Sequence, residues 1–250
     1  MNTNSNLYTV LYTTLIVVLV AAILALVSQS LKGRQLANEK ADTISQMLTA
    51  AQFGSKDEFR KMGNTAVLAK YAEEIAEAFT VGADGRKVSD LPLDQVFSPS
   101  ELKKQNYNIK GGTQAALPVF VFKNGRKVVP VYGAGLWGPV WGYIAFEPDN
   151  KTIVSTYFDH ESETAGLGAR IKDDPAFQHS FDGKTAAFGS PKVFEIIKGG
   201  APQGQENAID AITGATMTSQ GLATAIQTWL GAYGPYFLAS AATQPAEEEE

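Results

Sequence analysis

"LPVFVFKNGRKVVPVYG" (residues 117–133) consists of two runs of mainly β-branched and aromatic residues on either side of Asn124-Gly125. Asn-Gly is the strongest short hairpin signal, because a type I′ turn needs positive φ at both central positions. The stretch "VWGYIAFEPDNKTIVSTYFDH" (residues 140–160) repeats the pattern, with Pro-Asp-Asn at its turn. We therefore predict a four-stranded antiparallel sheet over residues 117–160.

Helical patterns flank this predicted sheet. Apolar residues recur at helical spacing in residues 35–53 and again in residues 220–234, and the stretch "YAEEIAEAFTVG" (residues 71–82) also predicts a helix. The polar stretch at residues 83–105 contains two prolines and predicts a loop. A sheet with helices before and after it predicts an α+β domain.

The N-terminal segment is apolar, and residues 1–31 contain no charged side chain. Its apolar run is about 20 residues long, and a helix of that length spans roughly 30 Å, the thickness of a bilayer core. A cleaved signal peptide and a buried helix of a globular domain are the alternatives. The first would have a basic start and a shorter apolar core, and the second is rarely this long and this apolar. We therefore predict a single transmembrane helix at residues 7–29.

The composition excludes several classes of function. A net charge of −5 argues against a nucleic-acid partner, and a chain without cysteine can form neither a disulfide nor a thiolate metal site. Its two histidines do not have a His-x-x-x-His spacing, so we predict no protein-only transition-metal site. We divide the remainder into a helical and loop region at 32–116, a domain at 117–238 and a disordered acidic tail at 239–250.

Two glycine-rich stretches have more than one interpretation. In "GAGLWGPVWGYIAF" (residues 133–146) the tryptophans either plug the core of bulged strands or form a flat aromatic surface for a planar ring. In "HESETAGLGAR" (residues 160–170), His160 with Glu161 or Glu163 could form an acid–base pair, although no nucleophile is near in sequence. A tight polar turn, or a clamp that offers peptide N–H groups to a ligand, explains the same residues.

The stretch "DAITGATMTS" (residues 210–219) crowds four hydroxyl side chains just before a predicted helix. Helix capping needs one such hydroxyl. A helix N-terminus also carries partial positive charge and free N–H donors, which suit a phosphate group. Small residues at 214 and 215 would let a phosphate approach the backbone.

These three stretches resemble the FMN-binding domain family. "TGATMTS" resembles the family's Ser/Thr-Gly-Ala-Thr-x-Thr motif, "SETAGLGAR" is similar to its Glu-Thr-x-Gly-Leu-Gly stretch, and "GLWGPVWGYIAF" is similar to its Gly-rich Trp segment. With the N-terminal anchor and the chain length, this motif order resembles the C-subunit family of sodium-translocating NADH:quinone reductases. The G-subunit of Rnf electron-transport complexes is the nearest alternative. Thr213 stands where the FMN-binding family often has Ser, which keeps the hydroxyl.

The resemblance implies that residues 117–238 are an FMN-binding domain with FMN joined through its phosphate to the last threonine of the motif, Thr218. Thr216 is the second choice as acceptor. Trp137, with Trp141 as the alternative, and Leu167 are expected against the two faces of the flavin ring. Further contacts are expected from Glu163, Thr164, Gly166 and Gly168, and from Thr213, Gly214, Ala215 and Thr216 around the phosphate.

The resemblance also implies an electron carrier that relays electrons from NADH towards quinone in a sodium-pumping respiratory complex. It implies no catalytic residue in this chain, and its expected partners are the other subunits, the membrane lipid and a separate flavin transferase. Asp210 is a candidate for helping that transferase. A tethered flavin-binding module without redox work, and a flavin reductase acting alone, are the rival functions.

The sequence gives conflicting indications of topology. Lys32, Arg34 and Lys40 follow the predicted helix and favour a cytoplasmic domain by the positive-inside rule. The resemblance favours the periplasmic side of the bacterial inner membrane, because the family's flavin transferase works there. We follow the resemblance, since a long domain can translocate despite a weak charge bias.

Overall fold

The computed structural model describes residues 6–242 of the chain. Its helices and strands, in chain order, are α1 (Asn6–Ala50), α2 (Lys56–Met62), α3 (Asn64–Glu74), β1 (Ile75–Val81), β2 (Lys87–Asp90), α4 (Pro99–Lys110), β3 (Leu117–Phe122), β4 (Lys127–Ala134), β5 (Pro139–Phe146), β6 (Ile153–His160), α5 (Arg170–Asp173), α6 (Pro175–His179), β7 (Glu195–Ile197), β8 (Ala208–Asp210) and α7 (Thr216–Ala242). The mixture confirms the predicted α+β class.

The chain divides into two units, with the boundary after Lys40. The described part of the first unit lies within α1, and its side chains from residue 9 to 39 are exposed. Among the described residues, α1 is the one helix long and apolar enough to cross a membrane. The predicted helix at 7–29 therefore lies inside a longer helix.

The second unit begins at Ala41 and contains the sheet. The last turns of α1 contribute Ile44, Met47 and Leu48, which are completely buried in its core. The helix predicted at residues 35–53 is thus confirmed, with its end at Ala50.

The sheet of the described chain has six strands in the order β2-β1-β3-β4-β5-β6, all antiparallel. Both predicted hairpins are present. At the first one, Gly125 has a φ of 82° but Asn124 is not left-handed, so the predicted type I′ turn is wrong. Phe122 N–H donates to Arg126 O over 2.9 Å, which closes a three-residue loop with glycine at its left-handed position.

Two segments before the predicted sheet differ from expectation. A single helix is predicted over residues 71–82, but α3 ends at Glu74 and β1 follows, because β1 pairs with both β2 and β3 and this pairing overrides a local helical pattern. A loop is predicted over residues 83–105, yet they contain β2 and the start of α4. That helix begins with a Ser98–Glu101 capping box and Pro99 in its first turn, a start signal present in the sequence.

Helix α7 packs across one face of the sheet and approaches β4 very closely. A Cβ on Gly133 would lie 2.6 Å from Ala225 Cβ, and a Cβ on Gly221 would collide with the Ala134 carbonyl. The fully buried Trp229 donates from Nε1 to Tyr132 O over 2.8 Å. These contacts place the N-terminal turn of α7 beside the end of β4.

The C-terminal boundary lies partly outside the described residues. Residues 239–242, assigned from sequence to the disordered tail, continue α7. The rest of that predicted tail, residues 243–250, is outside the described part of the chain.

Candidate functional site

Three loop segments meet beside the start of α7: the Trp turn (residues 135–138), the glycine loop (residues 161–169) and the threonine segment (residues 210–219). The Trp turn joins β4 to β5 and is closed by Gly135 N–H, which donates to Gly138 O over 2.7 Å. A Cβ on Gly138 would collide with Ser162 Oγ in the glycine loop. Glycine therefore lets the two loops touch.

The glycine loop is a tightly hydrogen-bonded turn. Thr164 O accepts hydrogen bonds from Leu167 N–H and Ala169 N–H, both over 3.1 Å, and Gly166 has a φ of 73°. His160 Nδ1 accepts a hydrogen bond from the Glu163 N–H over 3.1 Å, so this ring nitrogen is occupied by a backbone donor. The alternative acid–base pairing of His160 with a carboxylate of the loop is not formed.

The Glu163 carboxylate connects all three segments. Its side chain is buried, and Oε1 accepts the Trp137 N–H over 2.9 Å. Its other oxygen, Oε2, accepts the Thr218 hydroxyl over 2.7 Å. A buried carboxylate needs such donors, because burial without them is very unfavourable. Glu163 therefore fixes the position of the threonine hydroxyl relative to the tryptophan.

The threonine segment leads into the first turn of α7, where backbone N–H groups are available to a ligand. Ser219 is completely buried, and its Oγ accepts the Ile212 N–H over 3.1 Å, while Gly214 turns the chain with a φ of 83°. Within residues 6–242, no hydrogen bond uses the N–H groups of residues 216–218. Free N–H groups at a helix start carry partial positive charge and suit a phosphate.

Large apolar side chains surround this helix start on the surface. The exposed fractions are 50% for Leu136, 67% for Trp137, 45% for Leu167 and 59% for Met217. The Leu167 side chain reaches across to Gly214, where a Cβ would lie 3.3 Å from its Cδ2. Exposed apolar side chains contributed by three separate segments are typical of a binding surface.

The two tryptophans of residues 133–146 have different environments. Trp137 is exposed on the Trp turn, as a surface for a planar ring requires. Trp141 pairs with Tyr132 in the sheet, whereas the neighbouring Gly133 faces α7, so Trp141 lies on the opposite sheet face. The structure does not bring Trp141 to the site, where it was the alternative stacking residue.

The other predicted residues lie in the same loops. Gly168 is buried, and a Cβ there would lie 2.6 Å from Thr218 Oγ1. Exposed predicted residues are Thr164, Gly166, Thr213 and Gly214; Ala215 is buried and Thr216 is half-buried. Asp210 is exposed, and its Oδ1 accepts the Ala201 N–H over 2.7 Å.

Sequence reasoning missed Leu136, Ser162 and Met217, and it counted Ser219 among the hydroxyl side chains of the motif without assigning it a contact. Leu136 and Met217 lie next to predicted residues, but a lone apolar residue carries no signal of exposure. The complete site combines hydrogen-bond donors with a rim of flat and branched apolar side chains. This fits a ligand with a phosphate at one end and a planar ring system at the other, which is the make-up of FMN.

Comparison with known proteins agrees with this fit. Residues 135–231 match the family model described as the FMN-binding domain, and this range contains all three loop segments. The C-subunit of the Na(+)-translocating NADH-quinone reductase of Vibrio vulnificus is 28% identical over 86% of this chain and 87% of its own. The C-subunit from Haemophilus ducreyi is 37% identical over 48% of this chain and 47% of its own.

Two solved structures share the fold. The chain is 32% identical to the C-subunit of the Parabacteroides distasonis reductase, covering 83% of this chain and 96% of that chain with a TM-score of 0.68. Shewanella oneidensis NqrC is 28% identical, covering 83% of this chain and 100% of that chain with a TM-score of 0.63. Because it is 32% identical to the Parabacteroides distasonis C-subunit over 96% of that chain, the chain belongs to the NqrC family, the C-subunits of Na(+)-translocating NADH-quinone reductases.

Proposed function

We propose that this chain carries FMN covalently on Thr218 and relays electrons from NADH towards quinone within a sodium-translocating reductase. The observation that carries the proposal is the position of Thr218. It lies in the first turn of α7, within the matched FMN-binding range, with its hydroxyl held by the buried Glu163. The adjacent free N–H groups can receive the phosphate oxygens.

The residues around Thr218 contact different parts of FMN in this proposal. Thr213, Gly214, Ala215 and Thr216 precede the acceptor and lie around the phosphate in this proposal. Trp137 and Leu167 flank the ring, because flat or branched apolar groups are the natural partners of a planar ring. Glu163, Thr164, Gly166 and Gly168 shape the loop that carries Leu167.

Attachment requires a local rearrangement. Thr218 is only 1% exposed, so its Oγ1 has to be uncovered before a phosphoester can form. Leu167 belongs to the glycine loop and reaches over Gly214. We propose that the glycine loop moves during attachment, because Glu163 and Gly168 of this loop lie against Thr218 Oγ1.

The cofactor and the protein have separate roles in this proposal. FMN supplies the electron-carrying chemistry when bound, and the protein supplies its position, burial and hydrogen bonds. The proposed partners are the other subunits of the membrane complex, which deliver and remove electrons, and a flavin transferase that performs the attachment.

The apolar α1 together with family membership indicates a single-pass membrane anchor. We place the second unit on the periplasmic side of the inner membrane. The three basic residues after the apolar segment oppose this, but charge bias is weak for one helix that precedes a long domain. Alkaline phosphatase fused to the C-terminus should be active, and a fluorescent protein that folds only in the cytoplasm should be dark. The reverse pattern would refute the placement.

The test of the acceptor is Thr218→Val, expressed with a flavin transferase. Denatured gel bands of the parent should fluoresce, and mass spectrometry should find FMN on the peptide that contains residues 210–219. The valine variant should carry none. Thr224→Val is the matched control, because Thr224 lies in the same helix and its hydroxyl donates to Gln220 O.

The control should retain flavin at the parent's level. Flavin on the Thr218→Val protein would transfer the assignment to another residue, with Thr216 the first to examine. A parent that binds flavin but loses it on denaturation would instead support the tethered binding module.

A further inference from the structure

We propose that Glu163 is the base that accepts the proton of the Thr218 hydroxyl when the flavin phosphoester forms. The chain that is modified would then supply part of the catalysis of its own modification. This inference rests on the proposed role of Thr218 as the acceptor.

The hydroxyl of Thr218 donates to a side chain from another segment and not to a carbonyl of its own helix. Threonine in a helix commonly donates back to a carbonyl one turn earlier, as Thr224 does to Gln220 O over 2.8 Å. Thr218 instead donates to the carboxylate of Glu163, 55 positions away in sequence. Thr216 makes no side-chain hydrogen bond among residues 6–242. The geometry therefore selects one hydroxyl of the motif and directs its proton at a base.

The carboxylate is held rigidly for this task. Trp137 N–H binds Oε1, and the Glu163 N–H is itself bound by His160 Nδ1, so both the side chain and the backbone of Glu163 are fixed. Gly168 packs against the pair, where a Cβ would collide with Oε2 and lie 2.6 Å from Thr218 Oγ1. A pre-positioned base within hydrogen-bond reach meets the geometric requirement for general base catalysis.

The proposed step is a phosphoryl transfer. The co-reactant, presented by the transferase, is a flavin dinucleotide in which the phosphate of FMN is joined by an anhydride bond to a nucleoside monophosphate. Thr218 Oγ1 attacks the flavin-side phosphorus, an O–P bond forms, and the anhydride P–O bond breaks. The nucleoside monophosphate leaves with the electron pair, while the hydroxyl proton passes to Glu163 Oε2.

Glu163 also has a hydrogen-bond partner after the flavin is attached. The esterified Thr218 can no longer donate to Oε2, and an ionised carboxylate beside the new phosphate would face a like charge. The protonated Glu163 removes both difficulties, because it can donate to a phosphate oxygen. The same proton transfer that activates the acceptor thus stabilises the attached group.

The test is the initial rate of attachment to the purified full-length chain in detergent, with purified transferase and the dinucleotide. Fluorescence of denatured gel bands gives the rate. Glu163→Gln keeps the size of the side chain and an acceptor oxygen but is not a base. It should slow attachment by about 10²- to 10⁴-fold, with the thermal unfolding midpoint close to that of the parent. Glu161→Gln, on the exposed neighbour in the same loop, should react at the parent rate.

A second variant separates base catalysis from positioning. Glu163→Ala should be slow, and added formate should restore part of its rate, because a small carboxylate can enter the vacated space. A glutamine variant that reacts at the parent rate, or an alanine variant that formate does not rescue, would overturn the role of Glu163. Both outcomes leave Thr218 as acceptor, whereas flavin on the Thr218→Val protein would refute the acceptor itself.

Discussion

Gly168→Ala should both destabilise the protein and disrupt the contact between Glu163 and Thr218. The new methyl group would lie 2.6 Å from Thr218 Oγ1 and would overlap Glu163 Oε2. Real Cβ atoms do not approach so closely, and both atoms belong to a buried hydrogen bond with little freedom to move. The loop must therefore shift and pull Glu163 away from Thr218.

The expected stability loss has two parts. Overpacking costs about 1–3 kcal/mol, and loss of a buried hydrogen bond to a charged group adds about 1.5–3 kcal/mol, so the total is about 2.5–6 kcal/mol. Gly166→Ala is the matched control two positions away. It has open space for a methyl group, but its φ of 73° costs alanine about 1–2 kcal/mol.

The assay combines urea unfolding of the flavin-free protein, followed by tryptophan fluorescence, with gel fluorescence after coexpression with the transferase. Gly166→Ala should be moderately destabilised yet fully flavinylated. Gly168→Ala should lose more stability and most of its flavin. Equal flavinylation of the two variants would refute the view that Gly168 keeps the Glu163–Thr218 pair in place.

Three further predictions address the ring surface, the core and a turn. Trp137→Ala should change the absorption spectrum of the attached flavin while altering the free energy of unfolding by less than about 0.5 kcal/mol, because the side chain is largely exposed; an unchanged spectrum would contradict the ring contact. Trp229→Phe should lower the unfolding free energy by about 2–4 kcal/mol, since it leaves a buried carbonyl without its donor and a void in the core; a loss below about 1 kcal/mol in urea titrations would count against that role. Burial alone would raise the pKa of Asp149, but hydrogen bonds from the Thr152 hydroxyl and two backbone N–H groups lower it on balance. A pKa that folding lowers stabilises the protein at pH values above the unfolded-state pKa of about 3.9, and this stabilisation disappears as the pH falls through the folded-state pKa. Asp149→Asn should therefore lose less stability on acidification than the parent in pH-dependent urea melts. An identical acid dependence would refute the assignment.

Local signals are sufficient for the hairpins and the long apolar helix. A turn pair between two alternating runs, or an uncharged apolar stretch of bilayer length, needs no information from distant residues. The predicted type of the first turn is nevertheless wrong. Asn-Gly suits both a type I′ turn and a three-residue loop, and the register of β3 against β4 chooses between them.

The segment before the sheet illustrates the opposite case. Residues 75–81 carry a helical pattern, but they occupy an interior position in the sheet and gain backbone partners on both sides. Propensity differences of a few tenths of a kcal/mol per residue cannot outweigh two such ladders. Ser98, Pro99 and Glu101 carry the start signal of α4, which the polar composition of the surrounding stretch obscures.

The motif at residues 210–219 is local, so the sequence and its family resemblance could predict Thr218 as the acceptor and place it at the start of a helix. It could not show that the hydroxyl is buried against Glu163, or that Trp137 and Trp141 lie in different environments. Alternation along a strand gives two faces, but the packing of α7 decides which face is covered. Those relations join residues far apart in the chain, and they exist only when the sheet and α7 have packed together.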